Sequence, residues 1–256
     1  MTDPTGRHHG EGTVPKAADP NAPLPTDMDA HPLTAIPRHF RREQMEAREQ
    51  EIKDGILRTG SMVAERLTAA IVALENHDAE AALAVIRGDD DINAEQQRIS
   101  GLVSQAIVRD QPVARDLRFL MALDHAAFAL ERMGDHAASV AKQARKLAPQ
   151  APLRDYVGLP EMGRLVAQQV RSVLAVVVDV DEARAREVAK GDDEIDDMYH
   201  RIFDETLELM RADPANVDPG ARILFAAHYL ERTGDRVTDI AEDVVFLATG
   251  EVEDLN

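Results

Sequence analysis

The sequence predicts an all-α protein made of two similar three-helix bundles, six long helices in all, related by internal duplication. Three observations carry this. Apolar residues recur at helical spacing through most of the chain. Aromatic residues make up only 4%, with no Trp, which points away from aromatic-rich β architectures. Two sequence blocks also return about a hundred residues after they first occur.

The elements follow in order. Of the 13 prolines, Pro4, Pro15, Pro20, Pro23, Pro25, Pro32 and Pro37 fall at the start of the chain, so residues 1–38 are expected to be a disordered tail. His8 and His9 lie in it, and as an adjacent pair they are given no role. From Phe40 onward Met45, Ile52, Ile56, Val63, Leu67, Ile71 and Leu74 mark one face of a long first helix. Asn76, His77 and Asp78 supply turn and N-cap chemistry, and Ala82, Val85, Ile92, Ile99, Val103 and Ile107 mark a second long helix ending before Gln111 and Pro112. The third runs from Val113 to about Leu147, completing a first bundle over 39–148. Pro149, Pro152 and Pro160 predict a linker over 149–160. Helical stretches at roughly 161–179, 182–212 and 219–248 then form a second bundle over 161–250, with a short tail at 251–256. Short turns between helices make neighbours antiparallel.

The duplication is explicit. LERMGD at Leu130 to Asp135 recurs as LERTGD at Leu230 to Asp235, an offset of 100. GDDDIN at Gly88 to Asn93 recurs as GDDEID at Gly191 to Asp196, an offset of 103. The three-residue difference falls at an inter-helix turn, where length changes are tolerated.

Composition narrows function. With Lys plus Arg at 29 and Asp plus Glu at 47, the formal charge is −18, which repels nucleic acid and anionic lipid. There is no Cys, which excludes disulfides, thiolate metal sites and Cys nucleophiles. The purely apolar runs, such as Val173 to Val178, are far short of the ~20 residues of a membrane helix, and no secretory signal is visible, so a cytoplasmic protein without membrane insertion is expected.

Acidic pairs at i, i+4 stand out. Glu131 with Asp135 and Glu231 with Asp235 lie within one turn on the third and sixth helices; Asp89 with Asn93 and Asp192 with Asp196 do so on the second and fifth. Asp89 and Asp192 interrupt apolar stripes. Like charges at this spacing destabilise a helix, and carboxylates withdrawn from water cost several kcal/mol unless paired, protonated or bound to a cation. Oxygen-only donors favour iron(III), manganese, magnesium or calcium, with zinc less expected. Gly134 and Gly234 each cost about 1 kcal/mol in a helix interior, so close helix approach or room for a metal cluster is expected beside them. A single such pair reads as a solvated surface ion pair, Glu131 with Arg132 for example; the repetition in both halves favours sites instead. His125, His136, His200 and His228 read as surface or polar-edge residues.

These blocks, with LERMGDHAASVA (Leu130 to Ala141), LERTGDRVTDIA (Leu230 to Ala241) and PVARDLRFL (Pro112 to Leu120), resemble the PhoU family of phosphate-signalling proteins over about residues 40–250. The resemblance implies two similar three-helix bundles whose E/DxxxD motifs hold metal clusters, here Asp89, Asn93, Glu131 and Asp135, then Asp192, Asp196, Glu231 and Asp235. It also implies a cytoplasmic, non-catalytic negative regulator of the phosphate-starvation response, connecting the ATPase subunit of a phosphate ABC transporter to a sensor histidine kinase, with dimers known. Asn93 departs from the acidic motif, and Gln96 and Ser100 stand where acids are frequent, so a weaker first site is implied.

Two other readings compete. A ferritin-like dinuclear metal oxidase needs paired ExxH elements, and only Asp197 to His200 offers a DxxH. A metal-free helical scaffold would use the repeated blocks as packing motifs.

Overall fold

The computed structural model describes residues 38–255; the expected tail over 1–38 falls almost wholly outside them, as does Asn256. Among the described residues there are eight α-helices and no strand: α1 (Arg38–Glu75), α2 (Ala79–Arg87), α3 (Asp89–Asp110), α4 (Arg115–Leu147), α5 (Leu159–Asp179), α6 (Glu182–Ala189), α7 (Asp192–Ala212) and α8 (Val217–Thr249).

All six expected helices are present, but the second of each half is divided. Asp78 caps α2 by accepting from the N–H groups of Glu80 and Ala81, and Asp181 caps α6 by accepting from Arg184 N–H. At Gly88 and Gly191 the backbone flattens to ψ near zero, and i→i+3 bonds replace the α pattern (Asp91 N–H to Gly88 O, Gly191 N–H to Val188 O). New helices then start with three acids each, Asp89 to Asp91 and Asp192 to Glu194, where the helix dipole favours negative charge. The break was hidden because αR glycine leaves the apolar spacing almost in phase.

The inner layer is α1, α4, α5 and α8, with α1 against α4 and α5, and α8 against α4 and α5. The α2–α3 arm packs on α1 and α4, and the α6–α7 arm on α5 and α8. A single apolar cluster runs through both halves, from Ile52 to Val245. Its seam is two-fold in character. A Cβ on Gly60 would lie 2.1 Å from Leu174, and a Cβ on Gly163 would lie 2.4 Å from Ile71. Both pairs carry the same 103-residue offset, so each half inserts one branched side chain against the other's bare backbone.

The expected linker is mostly packed. Arg154 to Val157 have φ between 41° and 59°, a left-handed turn costing about 1–2 kcal/mol per residue for ordinary side chains. Burial of Tyr156 (4% exposed) and Val157 offsets that cost.

Candidate functional site

Each half brings an acidic face together where its arm crosses its long inner helix. In the first, Asp89 opens α3 and faces Glu131 and Asp135 on α4. Ile92 approaches α4 over Gly134, where a Cβ would meet its Cδ1 at 2.9 Å and Asp89 Oδ1 at 3.6 Å. Burial holds the Asp89 carboxyl above the usual carboxylate range; Asp135, close enough to share its proton, adds to this, while Arg66 and Lys142 oppose it. Burial also raises Glu131, with Asp135 and Asp89 contributing and Arg132 opposing. Asn93 is half-buried on α3 and makes no hydrogen bond to the other three. Three of the four expected first-half residues are thus coupled, and Asn93 is not tied to them.

In the second half all four are coupled. Burial, Asp196, Asp235 and Glu231 push Asp192 up to about 6; the Thr238 hydroxyl opposes the rise without reaching hydrogen-bond geometry. Glu231 is raised by burial, then by Asp235 and Asp196; Asp235 is raised by burial, with Asp196 and Asp239 adding and Arg232 and Arg236 opposing. A Cβ on Gly234 would lie 2.5 Å from Asp192 Oδ1 and 3.2 Å from Ile195. Close approach of helix and carboxylate is therefore what both glycines permit.

The buried atoms left without a hydrogen bond differ between the halves. In the second they include two carboxylate acceptors, Asp192 Oδ1 and Glu231 Oε2, with the hydroxyls of Thr206 and Thr238 (1% exposed) and one donor, Arg236 Nε. In the first the unpartnered atom is a donor, Arg66 Nη1. Arg66 lies against Gly88 and reaches Asp91 at 3.4 Å, whereas its counterpart 103 residues on, against Gly191, is the uncharged Gln169. Unpartnered buried oxygens are the chemistry a cation satisfies, so the second-half donors fit an oxygen-preferring ion. The side chains are not pre-arranged for it: among the described residues no group of three or more His, Asp or Glu is positioned to hold a metal ion.

Sequence reasoning missed Arg66, Thr238 and Asp239. Asp239 had a signal, the continued four-residue spacing after Glu231 and Asp235; Arg66 lies outside every motif. The histidines lie at edges. The His200 Nδ1–H donates to Asp196 O at 2.8 Å, and His228 Nδ1 comes within 3.4 Å of Glu231. His125 on α4 pairs with Asp243 on α8 across the halves, and that partner raises its pKa against the effect of burial. His136 is held at about 4 by burial, with Arg232 and Arg236 adding. Among the described residues no helix is long and apolar enough to cross a membrane.

The comparisons with known proteins agree with the duplicated fold. The PhoU domain matches at residues 56–144 and 159–244, one copy per half. A Clostridium acetobutylicum protein named phosphate-specific transport system accessory protein PhoU homolog is 35% identical over 216 residues, covering 84% of this chain and 99% of that one. A Xylella fastidiosa protein of the same name is 39% identical over 196 residues, covering 77% and 83%. The crystal structure of PhoU from Pseudomonas aeruginosa superposes with a TM-score of 0.76 at 30% identity, covering 80% of this chain and 99% of that one. That of the phosphate transport system regulatory protein PhoU from Streptococcus pneumoniae gives 0.76 at 29% identity, covering 82% and 99%. With a duplicated domain, matched acidic faces and full-length relatives, the chain belongs to the PhoU family.

Proposed function

We propose that this protein is a cytoplasmic, non-catalytic accessory regulator of phosphate-specific transport whose two acidic faces take up multivalent metal ions, the second face more tightly than the first. The observation that carries the metal reading is the trio of buried oxygens on Asp192, Glu231 and Thr238 that take part in no hydrogen bond, with His228 Nδ1 at 3.4 Å from Glu231 Oε2. Asp192, Asp196, Glu231 and Asp235 would hold the ion, with the Thr238 hydroxyl beside them; Asp89, Glu131 and Asp135, with Asn93 as a neutral donor, would hold one in the first half. Iron, manganese and magnesium suit the oxygen donors, and zinc suits them less. A bound ion supplies local positive charge on a chain of net charge −18. That charge would let an acidic protein engage phosphate or a carboxylate of a partner.

The transport role is supported by the names of the relatives, accessory proteins of the phosphate-specific transport system. In this reading the protein, as a homodimer, connects the ATPase subunit of the phosphate transporter to a sensor histidine kinase and keeps starvation signalling silent when phosphate is plentiful. Elemental analysis of protein purified without chelators, before and after combining Glu231→Ala with Asp235→Ala, tests the site. Loss of metal in the double variant is expected, and unchanged metal content removes these residues from it. Co-purification with the transporter ATPase and the kinase, compared at high and low phosphate, tests the adaptor role; binding to neither overturns it.

A metal-free scaffold is the second reading, favoured by the continuous core and by the absence of a pre-arranged ligand group among the described residues. Chelation that leaves both the melting temperature and partner binding unchanged would select it.

A further inference from the structure

Both halves expose large apolar side chains, Val108, Met121 and Phe128 in the first and Phe203 and Phe225 in the second, but they are arranged differently. In the second half Phe225 on α8 is 58% and Phe203 on α7 38% exposed. Beside them α7 and α8 enclose a groove of about 280 Å³ lined by Tyr199, Met210, Ala221, Leu224, Phe225 and His228. The Tyr199 ring contacts both Phe203 and His228, with centroids 6.2 and 6.4 Å apart.

The first half carries polar bonds at four of the corresponding positions. Tyr199 and Phe203 correspond, at the 103-residue offset, to Gln96 and Ser100; Leu224 and Phe225, at the 100-residue offset, to Asp124 and His125. There Gln96 Nε2 donates to Ser100 Oγ at 2.9 Å, Ser100 donates to Asp124 at 2.5 Å, and His125 pairs with Asp243. The fold therefore does not need Tyr199, Phe203, Leu224 and Phe225 to be apolar, because its own repeat places a polar network at those four positions, while Met121 and Phe128 stand exposed at the positions of Ala221 and His228.

We propose that the groove docks a basic amphipathic helix of a partner protein, seating one or two large apolar side chains between Phe225 and Tyr199. Charge selects this occupant. Helix α7 carries eight acids, Asp192, Asp193, Glu194, Asp196, Asp197, Asp204, Glu205 and Glu208, against Arg201 and Arg211 alone. Lysines and arginines flanking the apolar anchors meet that acidic face. A second copy of this chain would set one acidic α7 against another and is disfavoured by the same charges. The groove volume holds side chains rather than a whole cofactor. The proposal rests on the accessory-protein reading only in requiring a partner, and it needs no metal.

The test uses the full chain after chelator treatment, titrated with a synthetic helical peptide carrying Leu and Phe on one stripe and Lys and Arg beside it. Binding is expected to weaken about tenfold or more with Phe225→Asp. It should also weaken with added salt and with a peptide whose basic residues are replaced by Glu, and it should be unchanged with Phe128→Asp on α4 of the first half. Phe225→Ser carries the same comparison if the Asp variant melts early by circular dichroism. Equal binding by the Phe225 variant, or by the acidic peptide, overturns the proposal. A wild-type dimer that Phe225→Asp dissociates in sedimentation also overturns it, since the occupant is then a second copy. Because the protein is metal-free throughout, failure here leaves the metal reading standing, and failure of the metal reading leaves this result intact.

Discussion

The two acidic faces share a backbone plan and differ in charge. Both place an Asp at the start of an arm helix over a bare glycine of the inner helix, beside a Glu and an Asp four residues apart. Around that plan, Arg66, Asn93 and Lys142 of the first half give way to Gln169, Asp196 and Glu242 in the second. All three exchanges move the second face toward negative charge; Arg236 in place of His136 partly opposes them. The first face thus carries a guanidinium, Arg66, that opposes the rise of Asp89 and reaches Asp91 at 3.4 Å, whereas the second leaves the Asp192 and Glu231 oxygens buried without a hydrogen bond. Duplicated folding elements were kept and the charge was redistributed, so one half can hold its acids without an ion more easily than the other.

The comparison breaks first, and most strongly, at the seam. Gly60→Val and Gly163→Val should each cost about 3 kcal/mol or more, by overpacking against Leu174 and Ile71. Urea unfolding should give similar losses for the two, and a harmless change at either glycine would refute the two-fold seam.

Charge exchange comes next. Asp196→Asn should weaken metal binding at the second face, and Asn93→Asp combined with Arg66→Gln should strengthen it at the first, each by about 10–100-fold. Equilibrium dialysis with manganese reads both. No change from the double exchange would mean that the charge difference does not set the asymmetry.

The pH dependence is smaller. The Asp192 carboxyl, near 6 in the folded protein against an ordinary 3.8, binds its proton more tightly when folded. Its contribution to the stability of metal-free protein should therefore grow as pH falls from about 7 to 5, and reverse on return. With its partial exposure discounted, the gain is about 1–2 kcal/mol. Asp192→Asn should remove most of it, and Asp89→Asn should remove less, measured as melting temperature against pH in chelator. His136, near 4, acts oppositely, its contribution being lost as pH falls below 6.5, so His136→Gln should steepen the gain.

The smallest effect is the clasp between α4 and α8. His125 has a raised pKa when paired with Asp243, so its contribution is present at low pH and lost as pH rises through the folded value. His125 is 56% exposed, and Asp243→Asn should cost less than about 1 kcal/mol at pH 6 and nothing at pH 9.

Much of this was legible in the sequence. The offsets of 100 and 103 predicted the duplicated helices, and the four-residue acidic spacing picked out same-helix pairs such as Glu131 with Asp135 and Glu231 with Asp235, whose carboxyls raise one another's pKa or a neighbour's. Helix division at Gly88 and Gly191 was not, because an αR glycine interrupts hydrogen bonds without shifting the apolar phase. The left-handed turn at Arg154 to Val157 was hidden because tertiary burial of Tyr156 overrides local preference. Arg66 and Gln169 were unreadable as site residues: they stand more than twenty residues before their acidic partners, and only the packing of α1 and α5 against the arms brings them in.

Calorimetric titration of chelator-stripped protein with manganese, comparing Glu131→Ala/Asp135→Ala with Glu231→Ala/Asp235→Ala, tests the central asymmetry most directly. The second pair should abolish the tighter binding event and leave a weaker one. Equal affinities, or loss of the tighter event in the first pair instead, would contradict it.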